Sequence, residues 1–553
     1  MTINKGIFMN YLNFNPSSRP TAMGSRGMAT SAHPLASLAG INILNKGGNA
    51  FDAIVGIAST LNVAEPFMSG MGGVGFGLVY QAKKKKLKFL DFSGFAPELA
   101  DPGKFTEESK NIGPWAPVVP CNLAGWLTIQ EELGVLDREQ VFEDAINHAQ
   151  NGIPVTYLHH TMFSKSAPRL SKFPSGSIIL DSKGKAPLPG SRLQMPELAE
   201  SFRQVASGGR DVFYKGAIAE KIINSMKKYG GLITQDDLDK AKAEWSDPIS
   251  VNYKGYDIFT SPPHSSGFQA LETLKLIETL DSSDIKFQDP EFIHFIIEST
   301  KLTATDRIAY WNADRDKTPL KELLSNSYAK SQAARISGDH VSAVQGEIFN
   351  PDASKGFLTP GDLDAYDGGM TTHFAVADRD GNVVTITQTL GGGFGSALAP
   401  EGTGIFLNNM GNWFALEKGS SNLMGPLKRQ DNPMCPMQIF KDGEFQFSIG
   451  TPGSWGILQT TPQMIVNLLD FNMNIQQAID SPRLKTVGGK KVEMEARFPY
   501  SLVNALDIKG HEISLLPDWS PGVGGAQGIY LNQSEGIYQG GSDPRRDGFA
   551  IGT

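Results

Sequence analysis

Residues 368–396 read GGMTTHFAVADRDGNVVTITQTLGGGFGS. Two alternating apolar runs, residues 371–377 and 383–389, flank Asp380-Gly381-Asn382. Asp-Gly between such runs predicts a β-hairpin. The first run opens abruptly at Thr371, behind two glycines and Met370. A threonine opening a strand after a glycine leader suits an N-terminal nucleophile. Cutting the Met370–Thr371 bond would give one residue both a hydroxyl and a free α-amine. The hydroxyl is a weak nucleophile alone, and the amine beside it can take its proton. An α-amine titrates at about 7.7–8.0, so a useful fraction is neutral near pH 7. Such a base needs no histidine. The same residues also fit a plain hairpin with a Thr-Thr pair, and on their own they do not choose between the two.

Working outward, residues 337–370 hold five aspartates, several glycines and two prolines, with few periodic apolar positions. That composition predicts a mobile connector, and it ends at the proposed cut. On the other side, Thr387 and Thr389 alternate with Ile386 and Gln388, so their hydroxyls share a face. One of them is placed to reach Thr371 across the ladder. His373 shares that face and fits either an orienting role or a satisfied strand histidine. Acyl transfer also needs donors for a tetrahedral oxyanion. Gly450-Thr451-Pro452-Gly453-Ser454 follows a predicted strand. Its turn offers the successive N–H groups of Gly453 and Ser454, although alone it reads equally as a plain Pro-Gly turn.

The remaining features bound the class. Apolar residues make up 40% of the 553 and charged residues 20%, as in an ordinary soluble globular protein. The net charge of −8 does not advertise a nucleic-acid partner. The basic run at residues 83–86 reads as a solvated hairpin tip. Cys121 and Cys435 cannot build a disulfide framework and read as small buried residues. No signal-peptide pattern opens the chain and no apolar run approaches 18 residues, so a cytoplasmic location without a membrane span is expected. There is no G-x-S-x-G elbow, no H-E-x-x-H and no paired Cys/His spacing. A serine-triad or zinc enzyme thus has no support, and neither metal nor cofactor is expected.

Taken in order, residues 1–25 read as a loose leader. Helices are expected to end near Asn45 and across residues 53–63, each closed by Gly or Pro signals. Residues 76–80 and 87–92 read as strands. The glycine cluster between helix and strand matches G-x-G-x-x-G at Gly70, Gly72 and Gly75. A dinucleotide site needs strand, glycines, helix, and the order here is reversed, so close backbone packing is the better reading. Residues 100–345 are mainly helical, with one strand expected at 253–261. After the hairpin, residues 404–407, 444–450 and 528–539 read as strands, and 459–469 and 474–479 as helices.

Together these stretches resemble the γ-glutamyltransferase family of N-terminal nucleophile hydrolases. The resemblance runs through HPLAS (33–37), GGNAFDA (47–53), EPFMSGMGGVGF (65–76), DVFYKG (211–216), SPPHSSG (261–267), TTHFAVADRDGNVV (371–384), GTGIFLNN (402–409), GTPG (450–453) and SDPR (542–545). It implies an α+β, four-layer αββα sandwich built from both halves of a self-cleaved precursor. It implies a cut between Met370 and Thr371, and a large subunit (26–370) and a small one (371–553) that stay together, with a dimer of these as a further option. Thr371 would be the nucleophile, Thr389 its hydroxyl support, and Gly453 and Ser454 the oxyanion hole. The substrate would be a small-molecule amide.

The substrate-binding positions depart from the family pattern. Where glutathione-cleaving members carry the arginine that holds the glutamate carboxylate, this chain has Ser93. The family's Asn falls at Gly391, its Asp at Trp413, and its Ser-Ser pair at Asn432-Pro433. A charged hydrogen bond contributes about 1.5–3 kcal/mol, so losing two of them disfavours a zwitterionic glutamyl group. A roomier, more apolar pocket is expected. The leading expectation is an amidohydrolase or acyltransferase whose donor is not mainly γ-glutamyl. The alternatives are a true glutathione hydrolase in which Lys428, Arg429 or Arg545 replaces the missing arginine, and an uncut, non-catalytic relic.

Overall fold

The computed structural model of the chain describes residues 17–280, 285–341 and 370–553. The predicted hairpin is there: Met370–Asp378 and Val383–Gly391 pair antiparallel, with Thr371 opposite Thr389. Asp378 builds its turn. Its carboxylate accepts the amides of Asp380 and Asn382 at 2.9 and 3.0 Å and that of Ala50 at 2.9 Å. Gly381 takes φ 83° there, a conformation open to glycine without Cβ strain. One side chain thus closes the hairpin and ties it to the helix Ala50–Ala64.

The hairpin lies at the centre of a seven-stranded sheet, in the order Phe549–Gly552, Gly27–Ser31, Met370–Asp378, Val383–Gly391, Val74–Gln81, Lys86–Phe92, Glu244–Ser246. A second seven-stranded sheet runs Ala22–Gly24, Ile537–Ser542, Gln527–Asn532, Glu444–Gly450, Met437–Lys441, Tyr256–Thr260, Ile249–Tyr253. Both are antiparallel. Met28, Ala375, Ala377, Phe440 and Ile529 pack between the sheets. One outer layer is helices such as Pro34–Asn45 and Ala50–Ala64. The other is Gly267–Ile277, Pro290–Tyr310 and Ile457–Leu469. This is the four-layer αββα sandwich. The central sheet takes strands from both sides of Met370, so the two parts of the chain share one sheet and one core.

The glycines at 70–75 serve packing. A Cβ on Gly73 would sit 2.4 Å from the Thr389 carbonyl oxygen, and one on Gly72 2.2 Å from that of Phe406.

Four expectations need correction. Residues 22–24, assigned to the leader, form an edge strand on Ile537–Ser542; residues 1–16 lie outside the described residues, as does most of the expected connector (342–369). The strand at 253–261 is a hairpin, Ile249–Tyr253 and Tyr256–Thr260, turning at Lys254 and Gly255 with φ 50° and 86°. The strand at 528–539 is likewise two, Gln527–Asn532 and Ile537–Ser542. Residues 404–407 join no sheet ladder. Gly404 is pressed against the backbone of Leu198 at φ 66°, and an alternating pattern cannot foresee that contact. Among the described residues no helix is long and apolar enough to cross a membrane.

Candidate active site

Side chains of a strand alternate, so Thr371 and His373 face the second sheet while Thr372 faces the helices. The Thr389 hydroxyl is the hub. It accepts the Gly391 N–H at 2.8 Å and lies 2.8 Å from the Met370 carbonyl oxygen and 3.2 Å from Thr371 Oγ. A carbonyl only accepts, so the single Thr389 proton goes to Met370, and Thr371 must donate to Thr389. The lone pairs of Thr371 Oγ are therefore uncommitted at this bond. The Met370 carbonyl held by Thr389 belongs to the Met370–Thr371 peptide bond, the one predicted to break.

His373 supplies no base. Burial pushes its imidazole down to about 3, its Nδ1 pairs with Thr387 Oγ at 2.8 Å, and its ring fills the space over Gly450, where a Cβ would approach to 2.2 Å. It spaces the two sheets where the strand Glu444–Gly450 delivers residues 451–454. There Gly453 has φ 135° and Ser454 φ 55°. Ser454 opens the turn Ser454–Gly456 that leads into the helix Ile457–Leu469, and a first helical amide has no intrahelical acceptor. Gly453 and Ser454 keep partial exposure beside the buried Thr451 and Pro452. A helix N-terminus with two such amides suits developing negative charge.

Sequence reasoning missed Arg546, which ties this loop to Thr371. Its guanidinium donates to the Thr371 carbonyl at 2.9 Å and lies over Gly525, where a Cβ would come within 2.5 Å of its Cδ. The Gly525 N–H donates to Thr451 Oγ at 3.0 Å, and Gly524 lies against Gly453. The only available signal was its place directly after SDPR. On the helix side Thr372 Oγ donates to the buried Glu65 at 3.0 Å. Burial pushes that carboxyl from 4.5 up to about 7, against the pull of Arg546.

The raised Glu65 value has a sign. Between about 4.5 and about 7 the folded chain keeps a proton that the unfolded chain releases, so its contribution is complete at low pH and is lost as pH rises through that window. Glu65→Gln should flatten this slope. The wild type should lose up to about 3 kcal/mol more than the variant between about pH 5 and about pH 8, measured as urea midpoints. Parallel slopes would remove Glu65 from the account.

The expected pocket residues divide. Gly391 (φ 98°) acts through its backbone, and a Cβ there would meet Asn409 Oδ1 at 2.2 Å. Asn409 thus fills the room expected from the missing side chain, and the pocket is not wider at this point. Ser93 follows Phe92, which pairs with Gly75 beside Val74, the partner of Thr389. That puts it three strands from Thr371, about 14 Å at the usual strand spacing. It is fully buried, and its hydroxyl pairs with His264 Nε2 at 2.7 Å and Arg429 at 3.3 Å. Asn432 is buried, with its carbonyl accepting the Ser266 amide at 2.9 Å, and Pro433 is buried beside it. Trp413 stays partly exposed and meets Trp455, a residue the sequence reading passed over.

Among the described residues, two clusters have metal-type donors within 4.8 Å of one another: His33, His159 and Asp547, and His294, Glu298 and His511. Neither is a built metal site. In the first, both Nδ1 atoms accept backbone amides, so the hydrogens sit on the Nε2 atoms. In the second, the histidines bond each other at 2.7 Å and Lys301 takes Glu298.

The Gamma-glutamyltranspeptidase family model matches residues 36–553. The chain belongs to the gamma-glutamyltranspeptidase family. The chain is 35% identical over 543 residues to the Glutathione hydrolase-like YwrD proenzyme of Bacillus subtilis (strain 168), covering 96% of this chain and 99% of the relative. It is 32% identical to the Acylase ACY 1 proenzyme of Pseudomonas sp. (strain SE83), over 96% and 94% of the two chains. The cephalosporin acylase from Bacillus halodurans superposes with a TM-score of 0.86 at 29% identity over 98% of each chain. Gamma-glutamyltranspeptidase family membership makes the protein an N-terminal nucleophile hydrolase or acyltransferase and accounts for the αββα sandwich.

Proposed function

We propose that the chain is a self-processing amidohydrolase with Thr371 as nucleophile and a donor other than γ-glutamyl. The observation that carries this is the Thr389 hydroxyl, which binds the Met370 carbonyl and Thr371 Oγ together. Its proton polarises the carbonyl. Thr371 Oγ attacks that carbon, the C–N bond breaks, and the Oγ proton passes to the departing nitrogen. Water then hydrolyses the ester to a Met370 carboxylate and a free Thr371. The large part ends at 370 and the small part begins at 371, and the shared central sheet holds them together.

In the mature enzyme the new α-amine takes the proton of Thr371 Oγ as it attacks the substrate amide. Gly453 and Ser454 N–H groups stabilise the oxyanion. The ammonium protonates the leaving amine, and water or an amine releases the acyl group. Once Met370 is gone, the Thr389 proton is free to bond Thr371 Oγ. Thr389→Val should slow both self-cleavage and turnover by about 10²–10³-fold, while Thr389→Ser keeps both. A gel time course and acyl-anilide hydrolysis check this, and an unimpaired valine variant would remove Thr389 from both steps.

The glutathione-hydrolase reading has one observation in its favour. Arg429 reaches the Ser93 position, where glutathione-cleaving members place their arginine. Its guanidinium is, however, already bound by Asp91 at 2.6 Å and Glu244 at 2.9 Å. A γ-glutamyl anilide turned over as fast as plain acyl anilides would favour that reading.

A further inference from the structure

A chain of contacts closes around the nucleophile. Gly391 N–H donates to Thr389 Oγ, and the next amide, Gly392, donates to Asn409 Oδ1 at 2.7 Å. The Asn409 amide returns to the Leu390 carbonyl at 2.8 Å. Asn409 opens the turn Met410–Trp413 and so delivers Trp413. The Trp413 ring meets Trp455 edge to face, with centroids 5.3 Å apart. Trp455 directly follows Ser454 of the oxyanion loop. Thr371 and residues 391–393 are buried, whereas Trp413, Gly453, Ser454 and Trp455 keep partial exposure. The two indoles therefore lie on the partly exposed side of the loop that carries Gly453 and Ser454.

The charges beside this wall are already matched. Arg307 lies over Trp455, with Cζ 3.7 Å from the ring centroid, and bonds Asp431 at 2.9 Å. Asp431 also takes the Ser266 hydroxyl. A zwitterionic acyl group entering here would lose hydration against aromatic surface, which is costly without new partners. A flat apolar ring would gain edge or face packing.

Resting on the Thr371 reading above, we infer that Trp413 and Trp455 form an aromatic clamp for the acyl group, selecting amides of arylacetyl-type acids over γ-glutamyl amides. Both are specificity residues and take no part in bond making.

The test uses cleaved wild type, Trp455→Leu and Trp413→Leu with phenylacetyl, acetyl and γ-glutamyl p-nitroanilides. Wild type should prefer phenylacetyl over acetyl by about tenfold or more in kcat/KM. In Trp455→Leu that ratio should fall towards one. An equal loss on all substrates, a wild-type preference for γ-glutamyl, or no turnover of the phenylacetyl anilide overturns the clamp. If the variants fail to fold, calorimetry on wild type decides: phenylacetic acid should bind and glutamate should not, and the reverse overturns the proposal. Thr371→Ala separates the two readings. If it still hydrolyses the anilides, the nucleophile assignment fails. If it is inert while wild type shows no aryl preference, only the clamp fails.

Discussion

Thr371→Ala should yield one uncut full-length chain and lower amide turnover by on the order of 10⁴-fold or more. The size of the effect follows from one residue holding two roles. In the proposed mechanism its Oγ is the attacking atom, and its amine exists only after the cut. Among the described residues no other group at this point can stand in as base: His373 is held near 3 by burial and is tied to Thr387. Glu65 lies on the far face of the strand, bonded to Thr372. Intact mass should show a single species for the variant and two for wild type. Edman degradation of the smaller wild-type fragment should read Thr-Thr-His-Phe. Two fragments from the alanine variant, or full activity from an uncut wild-type chain, would end the scheme.

Glu495→Gln should produce the largest loss of stability, about 3–5 kcal/mol. Glu495 is fully buried and takes Arg545 through both oxygens at 2.7 and 2.6 Å, and Arg497 at 2.9 Å. It also accepts the amides of Arg483 and Ser520 at 2.9 and 3.1 Å. Asp543 completes the group. Burial alone would raise its carboxyl, but Arg483 and Arg545 hold it at about 2. Two fully buried guanidiniums, Arg483 and Arg545, thus face two fully buried carboxylates. The glutamine variant removes one negative charge and strands a buried positive one. Its melting temperature should fall by roughly 5 °C or more. Adding Arg545→Met should recover much of the loss, because replacing a whole buried pair is often close to neutral. An unchanged melting temperature for the single variant would contradict the network. The same contacts remove Arg545 as a substitute for the missing substrate-binding arginine, since its charge is fully engaged.

The hairpin, its Asp-Gly turn and the loop at 450–454 could all be read directly from the chain. Each rests on local rules: alternation along a strand, glycine at a positive φ, a turn placed after a strand. So did the packing role of the glycines at 70–75. The readings at 253–261 and 528–539 merged two strands into one, because apolar alternation runs on across a tight turn. The expected room at Gly391 was filled by Asn409, a residue 18 positions away.

What the sequence by itself determined is the candidate chemistry: which residue could become both nucleophile and base, where a cut would free it, and which donors follow a strand end. Those are properties of a few neighbouring residues and of strand periodicity. Only the tertiary structure decided the surroundings: Arg546 on the Thr371 carbonyl, the proton of Thr389 directed at Met370, the neutralised Arg429, and Trp413 against Trp455. Each depends on contacts between segments tens to hundreds of residues apart. Such contacts follow from sheet order and layer packing, which no local pattern encodes.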